Sequence, residues 1–341
     1  MASPAGALPL VVYLALGGTI AAVADAAGGG ATPTLTSDEL LATVPGLIEV
    51  ARLTTRDTAA VGSSRLTIAD VLRLRDAALV AVDDGACGVV VSQGTDSLEE
   101  TAFALDLLWD RPEPVVFTAA MRNPSLPGAD GPANLLAAVR CAVAGQARGL
   151  GVLVTLNDEV HAARFVRKTH TSNVATFASP PVGPLGWIVE DRVRIPLRPG
   201  RFPALRVPAS APTPPVALLT SVLDDDGRML SALPDLGYRG LVVAAMGGGH
   251  LPPSWLPGLR DLVGRMPVVL ASRTGSGEGL QHTYGSAGSE IELLAAGLLP
   301  AGALHPFKAR VLLMLALAAD FDPPSMRALF DSRGSMSAAD A

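Results

Sequence analysis

Thr95 and Asp96 set a hydroxyl and a carboxylate side by side at the end of an apolar run, Val89-Val90-Val91-Ser92-Gln93-Gly94-Thr95-Asp96-Ser97-Leu98-Glu99-Glu100. The run has strand character, and the glycine stops it. Ser97, followed three residues later by Glu100, reads as a capping box that fixes the start of a helix. Both reactive side chains therefore fall on a strand-to-helix turn, with backbone N–H groups facing a ligand. That turn lies on the edge of an open α/β sheet where ligands bind. Such turns recur throughout α/β proteins, so position alone singles out no site. A second hydroxyl repeats the pattern. Leu10-Val11-Val12-Tyr13-Leu14-Ala15-Leu16 runs into Gly17-Gly18-Thr19-Ile20. Parallel strands carry their C-terminal ends on one side, so Thr19 and Thr95 point to one site built from two strand ends. Taken singly, Gly17 and Gly18 need do no more than allow a tight turn.

A hydroxyl nucleophile needs a base. The chain has 26 lysines and arginines, of which only Lys168 and Lys308 are lysine. Both residue types keep a protein soluble, but only lysine sheds its proton when desolvated. Lys168 lies in the polar segment Arg164-Phe165-Val166-Arg167-Lys168-Thr169-His170-Thr171-Ser172-Asn173. Two roles are open to it. One is an ordinary ion pair; the other is an amine oriented by a carboxylate such as Asp96 and taking a proton from a threonine hydroxyl. The scarcity of lysine weighs toward the second.

The elements that must position these groups follow from alternation. Candidate strands are Leu10–Leu16, Gly88–Ser92, Pro114–Ala119 and Gly151–Leu156, with helical stretches near Thr67–Val82, Ser97–Trp109 and Gly131–Ala144. Buried apolar strands alternating with helices indicate a mainly parallel sheet. The fold class is α/β, a larger N-terminal domain (1–195) followed by a proline-rich linker (196–215). A smaller C-terminal α/β domain (216–341) has strands near Val216–Thr220, Leu241–Ala245 and Val268–Ala271. Its helices lie near Pro253–Arg265, Ser289–Ala296 and Pro306–Ala319. The stretch Ala26–Ala31, with three glycines, reads as a flexible loop and lacks the Lys-Ser/Thr of a phosphate-binding motif.

Composition narrows the function classes. At 341 residues the chain can bury ample apolar surface. A net charge of −6 and no basic stripe argue against nucleic-acid binding. Cys87 and Cys141 are too few for a disulfide framework and lack metal-ligand spacing, so buried, inert thiols are expected. His161, His170, His282 and His305 read as surface or capping residues, and neither metal nor cofactor is implied. The run Leu8–Ala24 has the apolar look of a signal peptide. It lacks a basic n-region, is broken by Gly17-Gly18, and cleavage would discard Thr19. It is also short for a membrane span. The expectation is a first buried strand in a cytoplasmic protein.

Together these residues resemble the bacterial-type asparaginase family through most of the chain. Its two signatures stand here as Leu14-Ala15-Leu16-Gly17-Gly18-Thr19-Ile20-Ala21 and Ser92-Gln93-Gly94-Thr95-Asp96-Ser97-Leu98-Glu99-Glu100-Thr101-Ala102. Further blocks in the family's order are Ala120-Met121-Arg122 with Ala129-Asp130-Gly131-Pro132, Arg167-Lys168-Thr169 through Val174-Ala175-Thr176-Phe177, and Lys308-Ala309-Arg310-Val311-Leu312-Leu313. The resemblance implies hydrolysis of a side-chain amide to a carboxylate and ammonia. It makes Thr19 the nucleophile, Lys168 the neutral base, and Thr95 with Asp96 the rest of the relay. Which threonine carries the acyl group is left open. Backbone N–H groups around Thr95 suit the oxyanion. Ser63 matches a substrate-carboxylate contact, and Asp96 also approaches the substrate amino group. The resemblance further implies a homotetramer of close dimers, each site completed by a neighbour's smaller domain.

Several positions depart from the better-known secreted members. Ser64 stands where those carry Gln. The segment after Thr19 has no tyrosine; Thr32 and Thr34 are the nearby hydroxyls. His250 occupies the place of an asparagine from a neighbouring subunit, and Tyr284 that of an acid that meets the substrate ammonium. Losing that acid removes a charge-assisted contact worth roughly 1.5–3 kcal/mol, for which Glu278 or Glu290 would have to compensate. Two alternatives follow: another amide lacking a free α-amino group, or a subunit of a tRNA-dependent amidotransferase. The acidic chain, beginning at its first strand, disfavours the second. The expected partners are a small-molecule amide and further copies of the chain, with neither nucleic acid nor membrane.

Overall fold

Residues with no side-chain polarity to satisfy make the middle of the larger sheet. Val89, Val90 and Val91 are each 0% exposed, and burying a valine contributes roughly 1.5–3 kcal/mol. The computed structural model describes residues 7–24, 30–57 and 62–336. The chain divides into two units, Met1–Ala204 and Leu205–Ala341. Most of the glycine-rich stretch 26–31 lies outside the described residues.

In the first unit the strands are β1 (Leu10–Ala15), β2 (Ala22–Ala24), β3 (Ala31–Pro33), β4 (Arg52–Asp57), β5 (Gly88–Ser92), β6 (Val115–Thr118), β7 (Val152–Leu156), β8 (Glu159–Ala162), β9 (Arg167–Lys168), β10 (Phe177–Ala178), β11 (Gly186–Val189) and β12 (Arg192–Arg194). Its helices are α1 (Ser37–Ala42), α2 (Leu47–Val50), α3 (Ile68–Asp83), α4 (Leu98–Leu108) and α5 (Gly131–Val143). The main sheet runs β12-β11-β8-β7-β6-β5-β1-β4. From β7 to β4 every pairing is parallel. Taken in chain order, those five strands stand second-first-third-fourth-fifth across the sheet, so the order reverses between β1 and β5. This is the topological switch point, where the crossovers diverge and open a crevice beyond the strand ends. Beyond β7 the pairings turn antiparallel. The cause is local: Asn157 and Asp158, at φ 51° and 59°, form the two-residue turn between β7 and β8, the type I′ geometry that these residue types tolerate.

Polar β4 and the antiparallel β8, β11 and β12 escape the sequence reading, which looks for apolar runs. The first half of the proline-rich run is docked on the first unit. Arg198 donates to the Arg148 carbonyl at 2.8 Å and Arg201 to that of Arg111 at 3.2 Å. The Arg164 guanidinium lies 4.6 Å from the Phe202 ring centre.

The second unit is a four-stranded parallel sheet in sequential order, β13 (Val216–Thr220), β14 (Gly240–Ala245), β15 (Val268–Ser272) and β16 (Leu299–Pro300). Its helices are α6 (Leu256–Val263), α7 (Glu290–Ala295), α8 (Pro306–Ala318) and α9 (Pro323–Gly334). A separate core of Leu241, Val243, Trp255, Leu259 and Leu293 fills it. Among the described residues no helix is long and apolar enough to cross a membrane.

Candidate active site

Two glycines set the distance between the threonine-bearing turns. Gly18 has φ 105° and ψ −178°, a region open essentially to glycine alone. A Cβ on it would sit 2.6 Å from Gly94 Cα, so the backbones after β1 and β5 touch with no room for a side chain. The strands below are in register, Ala15 opposite Ser92. They are tied by the Leu16 N–H on the Ser92 carbonyl at 2.9 Å and by a 2.5 Å hydrogen bond between the Tyr13 and Ser92 hydroxyls. Thr19 and Thr95 each follow their glycine directly, on adjacent turns at the switch point. Thr95 is 7% exposed; Thr19 is half-buried.

Lys168 reaches this edge from the small β9–β10 ribbon. Its ammonium donates to Thr95 Oγ1 at 2.9 Å and to Asp96 Oδ1 at 2.8 Å. Its side chain is 19% exposed, that of Asp96 68%. An ion pair so open to water contributes about 0–1 kcal/mol, too little to explain drawing the chain's rare lysine onto a buried hydroxyl. Its backbone N–H donates to Glu99 Oε2 at 2.7 Å. The loop beyond is held by its own groups: His170 Nδ1 accepts from the Ser172 and Asn173 N–H groups, both at 3.0 Å.

Ser63 joins the cluster. It is 7% exposed, and its hydroxyl accepts from the Asp96 N–H at 3.3 Å. Its carbonyl accepts from Ser97 Oγ at 2.7 Å. This corrects the expected capping box: the Ser97 hydroxyl is spent on Ser63, no side chain caps α4, and Thr95–Ser97 form a short 3₁₀ turn. A reciprocal box forms instead at Thr67 and Asp70, ahead of α3. The Asp96 N–H is likewise taken and not free for an oxyanion. Ser64, next along, is exposed.

His250 and Tyr284 lie in the second unit and meet each other, their rings edge to face with centres 4.9 Å apart. The carboxylate beneath them is Glu290, 0% exposed. Its Oε1 accepts from the Thr283 and Tyr284 N–H groups at 2.8 and 2.6 Å, and its Oε2 lies 3.1 Å from His250 Nε2. Burial alone would raise this carboxyl. The surrounding N–H donors and His250 outweigh it and hold the group below its ordinary value. Both oxygens of Glu290 are thus engaged within its own loop and by His250. Glu278 is exposed.

Glu99 and Glu290 are the partners that sequence reading passes over as anchors; each is one of two acidic residues in the first turn of its helix, which is where carboxylates commonly stand. Two further corrections concern side chains away from the cluster. His161 is not a surface residue: it is 1% exposed, with Nδ1 2.9 Å from Ser179 Oγ. Cys141 is buried and its thiol is pushed up to about 12 by desolvation, whereas Cys87 is only half-buried.

A hydroxyl, an amine and a carboxylate in contact at the switch point of a parallel sheet are the equipment of hydrolases that attack through an activated hydroxyl. The asparaginase N-terminal domain family matches residues 10–200, and the glutaminase/asparaginase C-terminal domain family residues 215–330. The chain belongs to the asparaginase family. It is 34% identical over 339 residues to L-asparaginase 2 of Escherichia coli, covering 95% of this chain and 93% of that protein. It is 34% identical over 331 residues to a probable periplasmic L-asparaginase of Haemophilus influenzae, with 95% and 93% covered. The crystal structure of a probable cytoplasmic L-asparaginase from Campylobacter jejuni superposes with a TM-score of 0.84 at 34% identity, over 94% of this chain and 99% of that one.

Proposed function

We propose that this enzyme hydrolyses the side-chain amide of L-asparagine to L-aspartate and ammonia. The observation that carries the reading is Lys168, drawn across 73 residues of sequence onto the Thr95 hydroxyl. Thr19 Oγ1 attacks the amide carbon, forming a C–O bond. The tetrahedral intermediate then collapses, the C–N bond breaks, and the leaving nitrogen takes a proton to depart as ammonia. Water next attacks the acyl ester, returning the Thr19 hydroxyl and releasing the carboxylate. Thr95 relays the proton that Thr19 loses on attack to neutral Lys168, the reverse of the hydrogen bond seen between Lys168 and Thr95. That proton is the one returned to the leaving nitrogen. Asp96 holds the amine in place and stabilises the ammonium that forms. Ser63 and Asp96 sit together at the turn and serve the substrate's carboxylate and amino groups.

The substrate grip is altered. With Tyr284 in the acid's place, His250 against it and Ser64 exposed, L-asparagine binds with high KM and L-glutamine is hydrolysed still less well. The same observation supports a second reading, in which the preferred amide lacks a free α-amino group. Oligomerisation as a homotetramer, with His250 and Tyr284 serving a neighbour's site, is part of this proposal. So is a cytoplasmic location, in keeping with the similarity to a probable cytoplasmic L-asparaginase.

The experiment is ammonia release across L-asparagine, L-glutamine and N-acylated or deaminated amides, for the unmodified enzyme and for Thr19→Val. Turnover of L-asparagine that Thr19→Val abolishes is the expected result. Undiminished turnover by Thr19→Val, or none on any amide by the unmodified enzyme, would refute the reading.

A further inference from the structure

We propose that Glu99 is a positioning residue that aims Lys168 at Thr95. The proposal rests on the reading of Lys168 as base. Glu99 stands three residues after Asp96 and four after Thr95, spacings that share a face as the turn becomes α4. Asp96 and Thr95 take the ammonium end of Lys168; Glu99 takes its backbone end, at 2.7 Å from the N–H. One turn of chain therefore holds both ends of a side chain that has four rotatable bonds between them. The carrier of Lys168 is small. β9 and β10 are two residues each, and their ribbon is separate from the main sheet, a size of pairing too small to fix a position by itself. Glu99 is also 5% exposed, and a buried carboxylate is costly unless it is hydrogen-bonded. A charge-assisted bond to a backbone N–H supplies that compensation and is short and directional. An apolar side chain would fill the same space without setting the register of residue 168.

The test uses the full chain and compares Glu99→Gln with Glu99→Ala, each alone and combined with Lys168→Met. Glutamine keeps an acceptor of the same reach; alanine removes it. A displacement of about 1 Å at a catalytic group costs on the order of 100-fold. Glu99→Ala is therefore expected to lower kcat by about 10- to 100-fold, with KM within about two-fold. Glu99→Gln should restore kcat to within about three-fold of the unmodified enzyme, since geometry and not charge is what matters. In the Lys168→Met background Glu99→Ala should have no further effect on residual turnover, because its action runs through Lys168. Loss by Glu99→Gln as large as that by Glu99→Ala overturns the proposal, as does a full additional loss in the Lys168→Met background. Should Glu99→Ala fail to fold, Glu99→Asp, one methylene shorter, replaces it: a lowered kcat supports the assignment and an unchanged one overturns it. Near-normal turnover by Lys168→Met sinks the base reading itself. With Lys168→Met inactive, an unchanged kcat in Glu99→Ala sinks the Glu99 assignment alone.

Discussion

At the scale of single residues, substitution at Lys168 separates charge from proton transfer. Arginine at 168 keeps the charge and most of the length but cannot be deprotonated in a protein. General-base catalysis contributes about 10²–10⁴-fold, so Lys168→Arg is expected to lower kcat by that factor with thermal unfolding little changed. Ammonia-release kinetics and a melting curve check both halves, and normal turnover would leave Lys168 as half of an exposed ion pair. For Tyr284 the proposed role concerns binding instead. Restoring a carboxylate with Tyr284→Glu should lower KM for L-asparagine by about 10- to 100-fold, the equivalent of the roughly 1.5–3 kcal/mol of a charge-assisted contact. The kcat should hold, because the bond-breaking groups are untouched. An unchanged KM would show that position 284 does not face the substrate ammonium.

At the scale of elements, the contact of Gly18 on Gly94 sets how closely the β1 and β5 turns approach. Gly18→Ala forces a non-glycine residue into a backbone region that costs about 1–3 kcal/mol and drives its Cβ into Gly94. Denaturant unfolding should show at least that loss, and kcat should fall more than 10-fold as Thr19 and Thr95 are pushed apart. Equal activity in the variant would mean the two turns move independently. The Glu290 loop is an element of the second unit with its own pH signature. Its carboxyl is lowered from an ordinary value of 4.5 in the folded chain. The ionised form is therefore favoured by folding, and its contribution is present above that ordinary value and is lost as pH falls through the folded one. Melting temperature against pH should drop on the acid side, and Glu290→Gln should flatten that limb. The same substitution should cost about 1–3 kcal/mol near neutrality, where it removes a buried acceptor. An acid limb identical in the variant would exclude Glu290 as its source.

At the scale of the whole molecule, the chain is two units with separate cores, the Thr95–Asp96–Lys168 cluster in one and the His250–Tyr284 pair in the other. If a neighbouring copy's smaller unit completes each site, specific activity depends on assembly. Dilution below the dissociation constant of the oligomer should then lower activity in step with the loss of the larger species in sedimentation. Mixing Thr19→Val with a variant disabled at His250 should regain part of the turnover, since hybrid assemblies hold some sites with both contributions intact. Activity that is independent of concentration in a demonstrably monomeric enzyme would exclude a shared site.

Whatever is encoded over a few neighbouring residues is legible in the order of amino acids. Valine runs are strands because burial rewards them wherever they lie. Glycine before Thr19 and Thr95 marks turns where a backbone must come close, and Lys168, one of only two lysines among 26 basic residues, stands out from composition alone. Arg52–Asp57 was illegible for the opposite reason: an edge strand need bury little, so its arginines and threonines carry no apolar signal. The Asn157–Asp158 turn, which reverses the sheet, is written in two residues of left-handed preference that an apolar-run reading passes over. Ser97 and Glu100 have the spacing of a capping box, yet the Ser97 hydroxyl goes to the Ser63 carbonyl, a partner that only folding brings near. Tertiary structure alone decided that β1 and β5 are neighbours at the switch point, that Lys168 lies on Thr95, and that Glu99 and Glu290 are anchors. Those facts depend on contacts between segments tens of residues apart, and such contacts are fixed by the packing of the whole chain, not by the preferences of any one part of it.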